Sequence, residues 1–410
     1  MHKPLKGIRI LDLSQAWAGP YASMMLADIG AEVIKIEPPD TGDHVRSWVT
    51  KDTNGHSPHL LAVNRNKKSI ILDLKNETGK RLFFEMAEKS DIVIENFRPG
   101  IMKKLGIDYE EVRKRNPEII FCSVSGFGQT GPYRDIAAYD LIIQGEGGAM
   151  SVTGERGGRP LKPGVPQADV FGAMVASFSI MSAIMTKQQT GKGAYLDIAM
   201  MDAQITLMGY YLANYAISGN VGKPMGTAHS LMVPYQSFPA KDIDINVAVL
   251  NDRAWKHFCE VIGKTEWIDD PRFLTGGDRV ENRDVLVPLI EEITMTQDAN
   301  DWIKKFSEKG IPVGAINPTD RLYTHPQAIH RNMLRRVEHP EIGEILLPGI
   351  PWKLPGIDDE DIMSPPLHGQ HTREILKEVL NLSEEQIKKL EENKVITPVA
   401  KGQLPVAKES

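Results

Sequence analysis

From Ile8 to Ser125 the chain alternates between two hydrophobic periods, and this alternation limits the fold more than any other feature. Short apolar runs of strand type occur at "IRILDLS" (Ile8–Ser14), "AEVIKIE" (Ala31–Glu37), "SIILDL" (Ser69–Leu74), "DIVIE" (Asp91–Glu95) and "EIIFCSVS" (Glu118–Ser125). Helical patterns separate them: "PYASMMLADIG", with Pro20 near its start and Gly30 at its end, then "ETGKRLFFEMAEKS" and "YEEVRKRN". Apolar strands joined by helices imply an α/β fold with a mostly parallel sheet covered on both faces. Ligands of such sheets bind outside the carboxyl ends of the strands.

The character changes after about Gly219. "VPYQSFPAKDIDINVAVLN" has the pattern of a hairpin with an acidic turn, and short helices follow at "RAWKHFCEVIG" and "ANDWIKKFSEKG". The expected organisation is a large domain over 1–205, a linker over 206–225 and a smaller α+β domain over 226–320. A second linker over 321–345 leads into a C-terminal part, 346–410, that returns to the large domain. That part carries two helical patterns, "QHTREILKEVLN" and "SEEQIKKLEEN", after the Pro- and Gly-rich "LPGIPWKLPG"; the final "PVAKGQLPVAKES" is expected to fray.

Composition excludes several classes. The 410 residues are 41% hydrophobic and 25% charged, as in an ordinary globular protein, and the net charge of −6 gives no electrostatic case for nucleic acid. Cys122 and Cys259 lie far apart and form no CxxC, so neither a disulfide framework nor a zinc site is expected and a cytoplasmic location is. The N-terminus lacks the long apolar run of a signal peptide. The most apolar stretch, Val170–Met185, spans 16 residues with Ser177, Ser179 and Ser182 inside it. A membrane span needs roughly 20 apolar residues, so this run reads as a buried helix and no membrane partner is expected.

Chemistry-bearing motifs are few. "GFGQTG" (Gly126–Gly131) follows a strand and matches the dinucleotide fingerprint, but Pro132, Tyr133, Arg134 and Asp135 follow where an apolar helix should begin. The alternative is that these glycines let the backbone pass close to a ligand or another segment. The 11 histidines are scattered, so no metal site is expected. That leaves Asp169, in "KPGVPQADVFGAMVASFSIM", at the head of the apolar run. One reading is a helix N-cap. The other is a nucleophile, because a carboxylate at a helix N-terminus is held ionised by unsatisfied N–H groups and the dipole. Gly164 and Gly172 remove side-chain bulk beside it and would let a substrate approach, and backbone amides of the glycine-rich loops would stabilise oxyanions.

A resemblance separates these readings. "ILDLSQAWAGPYASMMLADIGAEVIKIEPPDTGD", "NRNKKSIILDL", "ENFRPG", "VSGFGQTGP", "HSLMVPYQSF" and "GQHTREIL" occur in this order, and the chain from Gly7 to Leu376 resembles the family III CoA-transferases. The resemblance implies transfer of coenzyme A from an acyl-CoA to a free carboxylic acid, and a Rossmann-like large domain built from both chain ends. It also implies an interlocked homodimer and no permanently bound cofactor, coenzyme A being a substrate. It places the nucleophile at Asp169 and coenzyme contacts at Ala16, Trp17, Ala18, Leu72, Lys75, Asn96, Phe97, Arg98, Lys104, Ala138 and Tyr139. Arg98 and Lys104 would meet the phosphates and Phe97 would flank the adenine.

The sequence departs from the family at two points, with Pro38 where some members have arginine and Ala137 where some have lysine. Related racemases place a histidine before the aspartate of "AAYDLIIQ", where this chain has Tyr139, a poor base at neutral pH; transfer is favoured over racemisation. Trp48 and His229 are candidates for the acid pocket. The oxalate branch has a glycine run in the small domain that is missing from "PAKDIDINVAVLN", so a larger dicarboxylic acid, with succinyl-CoA as donor, is expected. A racemase of the same fold and a non-catalytic coenzyme A-binding protein are the alternatives.

Overall fold

The computed structural model describes residues 3–396 except 54, 356 and 358–361, so the C-terminal "PVAKGQLPVAKES" lies outside the described residues. The chain forms two compact units. One comprises Met1–Ala149, Pro163–Asn214 and Ile329–Ser410, and the other Met150–Lys162 and Tyr215–Ala328.

The larger unit is built on six parallel strands: β1 (Arg9–Asp12), β2 (Glu32–Glu37), β3 (Lys67–Ile71), β4 (Ile92–Glu95), β5 (Ile120–Ser125) and β6 (Ala194–Ala199). Their order is β3-β2-β1-β4-β5-β6. Side chains alternate between two core layers, as the period-2 pleat requires. Leu11, Ile34 and Val93 face a layer with Leu82 and Phe83 of the Glu77–Ala87 helix and with Ile375 and Ile387 near the C-terminus. Ile10, Val33 and Ile92 face the other layer, which holds the Ala18–Asp28 helix and the long Gln167–Thr190 helix. A strand covered on both sides can be apolar at every position, which is why β4 and β5 are buried throughout.

β6 escaped the sequence reading because it is an edge strand, with half-exposed and exposed residues alternating over its first four positions. The other edge, β3, is closed by the C-terminal segment: Ile71 N donates to Thr372 Oγ1 at 3.0 Å, and Ser69 N donates to His371 Nδ1 at 3.2 Å. The stretch expected to be a linker over 321–345 contains β10 (Leu334–His339), which pairs antiparallel with β11 (Gly343–Pro348).

The Gln167–Thr190 helix is buried along one small-residue face, Ala168, Gly172, Ala173, Ala176 and Ile180, while Phe178 is 75% and Met185 60% exposed. The expectation of a buried helix therefore holds for one face only. By length and a mean hydropathy of 1.6 the helix could cross a membrane. One face of it packs on the second core layer.

The smaller unit has an antiparallel sheet of β7 (Tyr235–Phe238), β8 (Ile245–Ala248) and β9 (Val313–Ala315). Trp255, Phe258, Trp302 and Phe306 of its helices stack into one aromatic core.

Candidate active site

Strand order reverses between β1 and β4, and the loops that leave these two strands line the resulting crevice. The loops are tied together. Gln15 N donates to Asn96 Oδ1 at 2.8 Å, and Asn96 Nδ2 returns a bond to Gln15 O at 2.8 Å. The coenzyme-contact candidates follow strand ends on this edge: Ala16, Trp17 and Ala18 after β1, Leu72 and Lys75 after β3, and Asn96, Phe97, Arg98 and Lys104 after β4. Ala138 and Tyr139 lie between β5 and the Asp140–Glu146 helix. Leu72 is 1% exposed and belongs to the core, so only its backbone can face a ligand. Phe97 is half-buried against the same core layer, whereas Lys75, Arg98, Lys104 and Tyr139 are exposed.

Asp169 reaches the same edge by another route. The Ala18–Asp28 helix leaves the carboxyl end of β1 and the Gln167–Thr190 helix enters the amino end of β6, so both run against the strands and start on the ligand side. Ser177 Oγ donates to Ala22 O at 3.3 Å. Counting back from that contact at 1.5 Å per residue, Asp169 stands about 6 Å beyond the level of Ala18.

Asp169 is not the N-cap. The helix starts two residues earlier, its cap is Pro166 without a side-chain bond, and half-buried Asp169 lies in the first turn. The capping acceptor is Asp140, whose Oδ1 accepts from Ala168 N at 3.0 Å and Asp169 N at 3.4 Å, while Oδ2 accepts from Gln144 Nε2 at 2.7 Å. Sequence reasoning missed this role because no acceptor stands near Pro166 in sequence. A carboxylate in the first turn still meets the positive end of the dipole.

One expectation about glycines is corrected and one is narrowed. A Cβ on Gly172 would stand 3.1 Å from Met200 Cγ, so this residue admits the neighbouring Met200–Leu207 helix rather than a thioester; Gly164 has open space around it. In the "GFGQTG" loop, Gly128 N already donates to Ser125 Oγ and Gln129 N to the Asp197 carboxylate, so neither amide serves an oxyanion. A Cβ on Gly126 would stand 2.3 Å from Ala138 Cβ. That glycine lets the Ala138 segment pass close by, and no helix follows the loop.

Trp48 is 44% exposed and meets His59 and His44 edge-on, with ring centroids 5.3 Å and 5.5 Å apart; Trp17 meets His59 at 5.8 Å. The structure thus joins Trp17 and Trp48 through a histidine that the sequence did not single out. His229 belongs to the smaller unit, where its Nδ1 accepts from Leu231 N at 3.1 Å and its ring meets Tyr235. At the position of a family arginine, the Pro38 carbonyl lies 3.1 Å from His368 Nε2. Exposed Ala137 has no charge, but Arg134 lines a cavity of about 230 Å³ together with Arg98, Lys103, Glu95, Tyr109 and Ser123. Among the described residues no group of three or more His, Cys, Asp or Glu side chains is placed to hold a metal ion.

Glu95, at the end of β4, is 3% exposed and accepts from Phe97 N at 2.8 Å. Burial pushes its carboxyl up to about 7, against hydrogen bonds from Ser123 and Phe97. Its ordinary value is 4.5, so between these two values the folded state holds more protons than the unfolded one, and stability falls as pH rises through that window. Glu95→Gln cannot ionise. Its stability relative to the parent is expected to improve by roughly 3 kcal/mol between pH 4 and pH 8. A stability difference that does not change with pH would contradict this.

The sequence profile of CoA-transferase family III matches residues 5–372. The chain is a family III CoA-transferase. It is 39% identical over 388 residues to the succinyl-CoA:glutarate CoA-transferase of Mus musculus, covering 95% of this chain and 89% of that one. It is 37% identical over 357 residues to the acetyl-CoA:oxalate CoA-transferase of Acetobacter aceti, covering 87% and 90%. Among solved structures, a CAIB/BAIF family protein from Brucella suis superposes with a TM-score of 0.85 at 34% identity, over 92% of this chain and 100% of that one. The CoA-transferase therefore belongs with enzymes that use CoA thioesters and small carboxylic acids.

Proposed function

We propose that this CoA-transferase moves coenzyme A from succinyl-CoA to a free dicarboxylic acid of about glutarate length, with Asp169 as the transient acyl carrier. What supports the reading is that Asp169 is a half-buried carboxylate in the first turn of a long helix that starts on the carboxyl side of the parallel sheet. The nature of the acids rests on relatives from Mus musculus, Homo sapiens and Agrobacterium fabrum whose names specify succinyl-CoA or succinate with glutarate.

The chemistry balances without a metal. An Asp169 oxygen attacks the donor thioester carbonyl, the C–S bond breaks, and coenzyme A leaves as thiolate from an aspartyl–acyl anhydride. The thiolate attacks the aspartyl carbonyl and releases the donor acid, leaving an aspartyl-CoA thioester. The acceptor carboxylate attacks that thioester and expels thiolate. The thiolate then takes the acyl group from the second anhydride and frees Asp169. Water hydrolyses each intermediate, so the site has to be closed to it during turnover.

The strand order β3-β2-β1-β4-β5-β6 supports a Rossmann-like reading of the larger unit. The exposed apolar face around Phe178 and Met185 supports a homodimer, because surfaces of that kind mark association. The test is a matrix of acyl-CoA donors against mono- and dicarboxylic acids read by mass spectrometry, with light scattering on the same enzyme. Succinyl-CoA with glutarate is expected to give the fastest transfer, from a dimer. Transfer only to monocarboxylic acids would overturn the substrate assignment, and a monomer active at assay concentration would overturn the dimer.

A further inference from the structure

We propose that Asp43 and Lys35 are positioning residues for the coenzyme, holding the Ser14–Ala16 backbone in a left-handed turn that sets the amides of Trp17 and Ala18. The proposal rests on the reading that the Ala16–Ala18 loop touches coenzyme A. Ala16 has φ 62°, in a region that alanine rarely adopts. Side chains from other elements hold the residues leading into this turn. Ala16 N donates to Asp43 Oδ1 at 3.1 Å, and the same oxygen accepts from Val45 N at 3.2 Å. Asp43 Oδ2 pairs with Lys35 Nζ at 2.9 Å, and Lys35 Nζ donates to Ser14 O at 2.7 Å. Gln15, between them, is gripped in both directions by Asn96.

Asp43 is itself anchored. Its N–H donates to Glu37 Oε2 at 2.8 Å, and Glu37 pairs with Arg46 at 2.6 Å. Lys35, Asp43 and Glu37 are each at most 1% exposed. A buried ion pair is a weak source of stability, because desolvation cancels most of its attraction. An apolar pair of equal volume would pack as well, but it could not give a donor to Ser14 O and an acceptor to Ala16 N together. The turn ends at the start of the Ala18–Asp28 helix, whose first amides have no partner inside the helix. Fixing Ser14–Ala16 therefore fixes where those amides point before a ligand arrives.

The test measures coenzyme A binding to the full-length enzyme by calorimetry. Asp43→Asn keeps the shape and one acceptor but removes the charge facing Lys35, and Kd for coenzyme A is expected to rise about ten-fold. Adding Ala16→Gly to that variant should recover most of the loss, since glycine takes the left-handed turn without restraint. Ala16→Val keeps every buried charge and should weaken binding by a similar factor, which covers the case in which Asp43→Asn does not fold. Wild-type affinity in Asp43→Asn and Ala16→Val would overturn the proposal. So would a loss in Asp43→Asn that tracks the unfolded fraction and that Ala16→Gly leaves uncorrected. A parent enzyme that binds no coenzyme A would overturn the reading of the loop and the clamp together.

Discussion

Asp169→Ala is expected to lose CoA transfer by about three orders of magnitude or more, and Asp169→Asn by as much, because neither side chain can form the anhydride. A first-turn carboxylate contributes about 0.3–1 kcal/mol through the helix dipole, and the cap itself is supplied by Asp140, which both variants keep. Thermal unfolding of both variants separates loss of turnover from loss of fold. Hydroxylamine trapping during incubation with succinyl-CoA should modify the parent enzyme at Asp169 and leave both variants unlabelled. Retention of a tenth of normal turnover in Asp169→Asn would show that the carboxylate orients a ligand and forms no bond to it.

Asp12→Ala is expected to cost about 3–5 kcal/mol of stability, the largest effect on folding that the structure suggests. Asp12 is fully buried at the end of β1, where it takes 3.0 Å and 2.6 Å contacts from Lys67 Nζ and Ser23 Oγ and is also bonded by Ser14. Burial opposes its charge, but Lys67, Lys35 and the two hydroxyls together hold its pKa down to about 2. Burial pushes Lys67 down to about 8, with Asp12 acting against that shift. Removal of Asp12 strands the ammonium in the core, bonded to the neutral Pro20 O and Asn64 Oδ1. Denaturant titration at pH 7 reads the loss directly. A change below about 1 kcal/mol would mean that Lys67 deprotonates or finds water at little cost.

Much of the molecule is legible in its sequence. Five of the six strands in the large sheet, the helices between them and the β7–β8 hairpin follow from hydrophobic periods and turn residues in adjacent sequence. Asp169 stood out because a lone carboxylate before an apolar run is visible locally. The misses share a cause. β6 is an edge strand whose first four residues are half-buried or exposed, and it follows directly on the long Gln167–Thr190 helix. Gly172 suggests room for a substrate in the sequence, whereas in the fold Met200 occupies that space. Lys35 and Lys67 sit within or beside strand sequences, and nothing in their neighbourhood announces Asp43 and Asp12 as partners.

The sequence alone determined the alternating strands and helices and the parallel sheet, and it singled out Asp169 as the candidate carboxylate. Hydrophobic period is a property of neighbours, and neighbours are given. The tertiary structure alone decided what holds the site in shape: Asp140 capping a helix 28 residues away, Lys67 reaching Asp12 across 55 residues, and Asp43 holding the turn at Ala16. Buried polar groups have to be satisfied by whatever the fold brings to them, and that is settled only when distant segments meet.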